Sequence, residues 1–493
     1  MKLEKLSMLA RGIAILLCLC SVFLVACSQN KNKDPQTEDT TSNDPVDNNL
    51  EWWEPLGEKD LNGRAIRVTS RNDGFTQGIL EMGEEECDSG NIIESAIYER
   101  NFMVEEQFNC IFEINNQKDS ASILKNELLG GSCSADILFL SLQTSASFSD
   151  NGLLKNMLDL PELNLENDYW DQNARDELEI NHELNFMCGD MTLMTGQGTW
   201  LMIFNKTIAS DLGLGNIYDL VSNNEWTADK MWELACRASE DLNGDGTRNE
   251  KDKYGLLAQI SDVQMFYQAF GQRYTQKDSE GDLQLVLGQD VRAVDVFDKI
   301  STMFADSENT LVSNNYASTT TQAHTIGVQF PCFKENRALF YASGILRLFE
   351  LRAETVDYGL LPFPKFDETQ DRYYHTVKVN WGSGVSIPEY VNDVNTIAFV
   401  LEALAAASAV QVKPAYYETT LGSRLLKDPY SYDMLDIVLN SITYDAMTFY
   451  KWGDIINTLN SIGAANTGTF KSTVDSSFED IENAMNKTLA SRK

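Results

Sequence analysis

Apolar and polar positions alternate in Ala65-Ile66-Arg67-Val68-Thr69-Ser70, the period-two pattern of a half-buried strand, and Arg71-Asn72-Asp73-Gly74 stops it. The pattern then switches to helical spacing, with Ile93, Ala96, Ile97, Val104 and Phe108 on one face. Residues 110–114 form the next predicted strand, a helix over about 120–129 follows, and 136–141 is a third strand. Strands separated by helices predict a parallel sheet with right-handed crossovers. Ligands of such sheets sit beyond the carboxyl ends of the strands, which puts Ser70, Arg71 and Asn72 on one rim with Ser141, Leu142 and Gln143.

Further along, 199–204 is apolar and strand-like, and Asn205-Lys206 opens a helix. Thr227 suits the N-cap of another helix, whose apolar face continues through Leu234 and Ala235. Residues 360–365 and 385–388 read as extended, proline-bearing segments, the second leading into a helix from about 394 to 409. No short-period repeat is present, so solenoids and propellers are not expected.

The N-terminus follows a different logic. Lys2, Lys5 and Arg11 precede an apolar run from Ile13. At about 14 residues the run suits a secretory signal and is too short to cross a bilayer. It closes on Leu24-Val25-Ala26-Cys27, which resembles the lipobox of bacterial lipoproteins. The resemblance implies a signal peptide over 1–26, a lipid on Cys27 (palmitate among its acyl chains) and a protein working on the extracellular face of the cell membrane. From Ser28 to about Asn49 there is no apolar cluster, so 27–57 is expected to be a lipid-anchored flexible stalk.

Composition narrows the function. A hydrophobic content of 43% with 10% aromatics is that of a folded chain, and the length beyond the stalk suits two lobes. The formal charge is −35, and loss of the signal makes it more negative. Such a surface disfavours nucleic acid and anionic headgroups, leaving membrane contact to the lipid anchor alone. Six cysteines remain after the anchor (Cys87, Cys110, Cys133, Cys188, Cys236, Cys332), without zinc spacing; Cys110 and Cys188 lie in apolar runs and read as buried thiols. His182, His324 and His375 are scattered, and no HExxH, GxSxG, Walker or dinucleotide glycine loop occurs. No catalytic residue and no catalytic cofactor is therefore expected. A lipid-anchored polysaccharide-acting hydrolase is the main alternative, since two suitably spaced carboxylates would suffice. A calcium-stabilised adhesin would need repeats or extended β modules.

The sharpest local motif runs from Asp241 to Asp252 and matches D-x-N-x-D-G-x5 ending in an acid. Asp241, Asn243, Asp245, the Thr247 carbonyl and Asp252 are placed to surround a structural Ca2+, with Gly246 making the sharp turn. Asp252 in place of Glu shortens the reach of the last ligand, and an Asp/Asn/Gly turn without metal is the competing reading.

Several strings occur in a telling order: Phe204-Asn205-Lys206, Glu225-Trp226-Thr227, Tyr254-Gly255, Asn336-Arg337-Ala338-Leu339-Phe340, Tyr358 to Pro364, and Ser386-Ile387-Pro388. Together they resemble the family 1 extracellular solute-binding proteins, sugar-capturing lipoproteins of ABC importers. The resemblance implies an α/β fold of the periplasmic-binding-protein type II class, two lobes joined by hinge strands around a ligand cleft. Lobe 1 is expected over 58–190 and 336–400, and lobe 2 over 191–335 and 401–493. A carbohydrate ligand, permease subunits as partners and a monomeric state follow from the same resemblance. Candidate ligand residues are Arg71, Asn72 and Gln143 on the first rim, and Gln264, Phe266 and Tyr267 in a segment the family uses to line its cleft. Trp381 and Gly382 in the loop before 383–386, and Trp200, complete the set. Packing competes with ligand stacking for Trp381, Phe266 and Tyr267, and is favoured for Trp200.

Overall fold

The first lobe is built on strand β1 (Arg64–Ser70), helix α1 (Ile92–Phe108), β2 (Cys110–Asn115), α2 (Ser120–Leu129), β3 (Ile137–Ser141) and α3 (Leu142–Asp150) of a computed structural model. The structure describes residues 51–72, 81–83, 92–116, 120–417 and 425–492, and Glu51–Lys493 forms one unit. Cys27, the signal and most of the stalk lie outside the described residues, as does Cys87. β1 pairs in parallel with β2 and β3, as the strand–helix alternation predicts.

The second lobe carries β4 (Trp200–Asn205), α4 (Ala228–Ala238), β5 (Tyr254–Ala258), α5 (Asp262–Ala269), α6 (Ala293–Ala305), β6 (Thr310–Val312), β7 (Ala338–Gly344) and β8 (Tyr358–Leu361). Its sheet runs in the order β8-β4-β7-β5-β6, with β5 parallel to both β6 and β7. Thr227 caps α4 by accepting from the Lys230 amide at 3.3 Å, and the Asn205 side chain caps the helix after β4. Gly255 lets α4 lie directly on β5: a Cβ there would stand 2.2 Å from the Ala235 carbonyl oxygen.

The chain then returns to the first lobe. β9 (Ser383–Ser386) adds antiparallel to β3, giving the order β9-β3-β1-β2, and α7 (Val394–Pro414) packs on α1. α7 is long and apolar enough to cross a membrane, but its middle is core: Ile397, Val400, Leu401 and Leu404 are fully buried. Helices α8 (Tyr430–Asn440), α9 (Ile455–Ala465) and α10 (Phe470–Ala490) follow, with α9 packed on α5 and α6.

Three expected boundaries move. Residues 336–400 are not all lobe 1, because β7 and β8 belong to the second sheet, where all seven residues of β7 are buried between β4 and β5. Residues 401–414 are not lobe 2, because α7 continues over the first-lobe core through Ala407. The stalk does not extend to 57: Trp52, Trp53 and Leu56 pack on that same core, Trp52 edge-on to Phe108 at 5.9 Å. Two tryptophans carry too much apolar surface to stay in a solvated tether.

Candidate functional site

Two chain crossings join the sheets, and they run side by side. Met187 pairs antiparallel with Val385 and Thr199 with Val377, so segment 187–199, which includes a short helix at Leu193–Gln197, and segment 377–385 are bridged at both ends. Thr195 Oγ1 ties them midway, donating to the Ser383 carbonyl at 2.7 Å.

The strand ends converge beside this link. Beyond β3, the Leu142 and Gln143 amides at the start of α3 donate to the carbonyls of Gly382 and Val379 at 3.0 and 3.1 Å. Beyond β1, the Arg71 guanidinium donates to the Asn380 carbonyl at 2.8 Å and to that of Trp381. Beyond β5 comes the turn Gln259-Ile260-Ser261, whose Ile260 amide donates to Asn314 Oδ1 at 2.8 Å. Asn314 follows β6, and its amide group lies 3.1 Å from His324 Nε2 while Ser313 Oγ is 2.9 Å from Nδ1. Burial lowers the His324 pKa, so the neutral ring can accept from Asn314 at Nε2 and donate to Ser313 from Nδ1.

Between these ends lies a cavity of about 180 Å³. Gln143 lines it from the first lobe, Ser261 and Gln264 from the second, Lys378 and Asn380 from the crossing, and Lys451, Asp454, Asn457 and Asn460 from the turn into α9. The Gln264 amide donates to Asn460 Oδ1 at 2.9 Å, and the Asn460 side chain returns a bond to Gln264 Oε1 at 3.3 Å, locking α5 to α9. Below the cavity, Lys378 Nζ stands 4.9 Å from the Trp200 ring and 5.4 Å from Trp381, and donates to Ser261 Oγ at 3.3 Å. Asp262 lies deeper, accepting from Trp200 Nε1 at 3.0 Å and from the Gln259 amide at 2.9 Å. Burial pushes the Asp262 carboxyl up to about 7 and pulls the Lys378 ammonium down, each moderated by the other's charge.

The sequence-derived candidates therefore divide. Gln143 and Gln264 line the cavity. Trp381 is half-buried, 5.2 Å from Trp200 and 5.4 Å from Nζ of the cavity-lining Lys378. Arg71 acts on the crossing's backbone, and Asn72 is exposed at the end of the described strand. Trp200 is 1% exposed, lies 4.9 Å from Lys378 Nζ and does not itself line the cavity. Phe266 and Tyr267 are corrected to core: Phe266 packs edge-on to Phe270, Phe304 and Phe363, and Tyr267 stacks on Tyr274. α5 turns Gln264 to the cavity, leaving these rings on its inward side. Gly382 is a packing glycine, since a Cβ there would meet Val377 at 2.5 Å and Leu142 at 2.8 Å. Lys378, Lys451, Asn457 and Asn460 were not among the candidates.

A larger cavity, about 520 Å³, borders the other crossing segment, lined among others by Trp170, Asp171, Asp190, Lys413, Tyr416 and Asp436. Among the described residues, none in the loops directly after β1, β3 or β5 lines it. Asp190 pairs with Lys413 at 3.1 Å, and burial pushes its carboxyl up to about 6.

The loop 241–252 is closed by a backbone pair between Glu240 and Lys253, with Gly246 at φ 74°. Asp241 accepts from the Gly244 and Gly246 amides, both at 2.8 Å, and Asp252 from those of Leu242 and Asn249. Asn243 and Asp245 bond each other, and the Thr247 amide donates to Asp245. Among the described residues no three acidic, histidine or cysteine side chains converge as a metal site. In this conformation the carboxylates are turned to the loop's own amides.

No family model and no curated protein matches the chain. Solved structures do. An ABC substrate-binding protein, Lmo0181 from Listeria monocytogenes in complex with cycloalternan, superposes with a TM-score of 0.57 at 12% identity, over 86% of this chain and 99% of that one. A maltose/maltodextrin-binding MalE domain from Bdellovibrio bacteriovorus bound to maltotriose gives 0.54 at 14%, over 86% and 100%. A family 1 extracellular solute-binding protein from Bifidobacterium longum subsp. infantis gives 0.54 at 13%, over 86% and 99%. The chain has the fold of the family 1 extracellular solute-binding proteins, two α/β lobes of the periplasmic-binding-protein type II class.

Proposed function

We propose that this protein is the substrate-binding component of an ABC importer, capturing a sugar between its lobes and handing it unchanged to a permease. The observation that carries this reading is the cavity at the carboxyl ends of parallel strands from two mixed sheets, lined by amide side chains and by Lys378, which stands within 5.4 Å of the Trp200 and Trp381 rings. Planar amides suit sugar hydroxyls, and ring faces suit sugar C–H surfaces. Solved structures of the same fold hold maltotriose and cycloalternan, which supports a carbohydrate ligand here. At about 180 Å³ the cavity matches a single small ring; a longer chain requires the lobes to part about the paired crossings. Among the described residues the only lining carboxylate is Asp454, and Asp262 is fully buried beneath Trp200, which supports binding without catalysis. Cys27 would carry the lipid that holds the protein, as a monomer, on the outer face of the membrane.

Saturable thermal stabilisation by one sugar class, with a smaller radius of gyration in solution scattering, is the expected result. Hydrolysis of an oligosaccharide by the purified protein would overturn the reading. For 241–252 the proposal is a structural Ca2+ drawn in by the motif's oxygens. Chelation should then lower the melting temperature, and Asp241→Ala should abolish that response.

A further inference from the structure

The cleft reverses the charge of the chain around it. The protein as a whole carries −35, yet two lysines, Lys378 and Lys451, line the cavity against one carboxylate, Asp454. Some lysines elsewhere are matched: Lys155 pairs with Glu389, Lys334 with Glu354, Lys413 with Asp190 and Lys471 with Asp475. Among the described residues, neither Lys378 nor Lys451 has a carboxylate within ion-pair distance. Lys378 spends one of its three donors on Ser261 Oγ and is otherwise enclosed by the tryptophan rings, leaving donors for whatever enters.

The second lysine sits on an unusual turn. Lys451 and Asp454 hold left-handed backbones at φ 54° and 49°, conformations that cost non-glycine residues free energy and that gather at binding sites. The turn delivers α9 with its N-terminus at the cavity and without a side-chain cap. Asp454, which could have filled that role, instead accepts from the Asn457 side chain at 2.6 Å. A helix start adds partial positive charge to the two ammonium groups. The other lining residues carry no charge, Gln143, Gln264, Asn380 and Asn460 presenting neutral amides.

We propose that the cleft selects an anionic sugar, one bearing a carboxylate or a sulfate ester, with the anionic group between Lys378 and Lys451 at the start of α9 and the ring against Trp381. This rests on the sugar-binding reading and specifies its substrate class. Binding of a free sugar acid needs no chemical step.

Calorimetric titration of matched pairs tests it: galacturonate against galactose, glucuronate against glucose, and glucose 6-sulfate to separate sulfate from carboxylate. At least one acidic member should bind tenfold or more tightly than its neutral partner. Lys378→Gln and Lys451→Gln should each remove most of that preference, lowering acidic-sugar affinity more than neutral-sugar affinity, and Lys471→Gln should leave the preference intact. Lys451 is exposed, so its variant tests the idea even if Lys378→Gln folds poorly. Equal affinity for acidic and neutral partners, or a preference that survives both lysine substitutions, overturns the inference and leaves sugar capture standing. Failure of every sugar, acidic and neutral, to bind removes the sugar-binding reading and the inference with it.

Discussion

The cleft cavity and the 520 Å³ cavity each border one of the two crossing segments, yet their linings are opposites. The smaller one draws on residues that follow β3 and β5, sets two lysines against one lining aspartate, Asp454, and keeps Asp262 buried below Lys378. The larger one is framed by helices, carries several aspartates, and has its one lysine already paired. Volume alone would have selected the wrong one. Strand polarity separates them, because only at the carboxyl ends of parallel strands do loops from a whole sheet converge.

The contrast should appear first in the pH dependence of stability. Asp262 has a folded pKa of about 7 against 3.8, so its contribution is intact below about 3.8 and is lost as pH rises through 7. Asp190 follows the same sign over a narrower window, ending at about 6. Asp262→Asn should flatten the stability profile by about 1.4 kcal/mol per pH unit across its window, and Asp190→Asn only below about 6. Urea midpoints from pH 4 to 8 measure this; identical profiles between pH 6 and 7 for the two variants would break the contrast.

Next in size is Glu402→Ala. Glu402 is 2% exposed and accepts from Tyr169, from Asn167 and from Trp170 Nε1, the last at 3.1 Å, so it steadies a wall of the larger cavity. Its loss should cost about 3 kcal/mol in denaturant unfolding, since three donors lose their acceptor. Ligand affinity in the cleft should not change, and a matching loss of affinity would show that the two cavities are coupled.

The smallest effect separates ligand contact from scaffolding. Trp381→Ala should weaken binding about tenfold, or about 1.4 kcal/mol, while Asp436→Asn at the larger cavity leaves affinity as it was. Unchanged affinity for Trp381→Ala together with a large drop in melting temperature would move that ring into the core.

The first lobe was legible because its strands and helices are short, regular and consecutive: periodicity alone located β1 through β3 within a residue or two. The second sheet was harder. β5 and β7 are buried on both faces and read as continuous apolar runs, which carry no period to announce them. β7 was therefore placed in the wrong lobe. The strand-end rule found Gln143, and the family resemblance found Gln264 but took its buried neighbours Phe266 and Tyr267 with it, because solvent-facing and core positions alternate too tightly on a helix to separate by eye. Lys378 and Lys451 left no local signal. They lie 73 positions apart on a crossing and a turn, and only tertiary packing brings them to one cavity.

The pairing of Met187 with Val385 and of Thr199 with Val377 also bears on how this sequence can evolve. One residue inserted into either connector between its two bridges would pull one of them, or the Thr195 tie to Ser383, out of reach. Length variation among descendants of this chain should thus collect in surface loops, while both connectors keep a fixed residue count even where their amino acids drift.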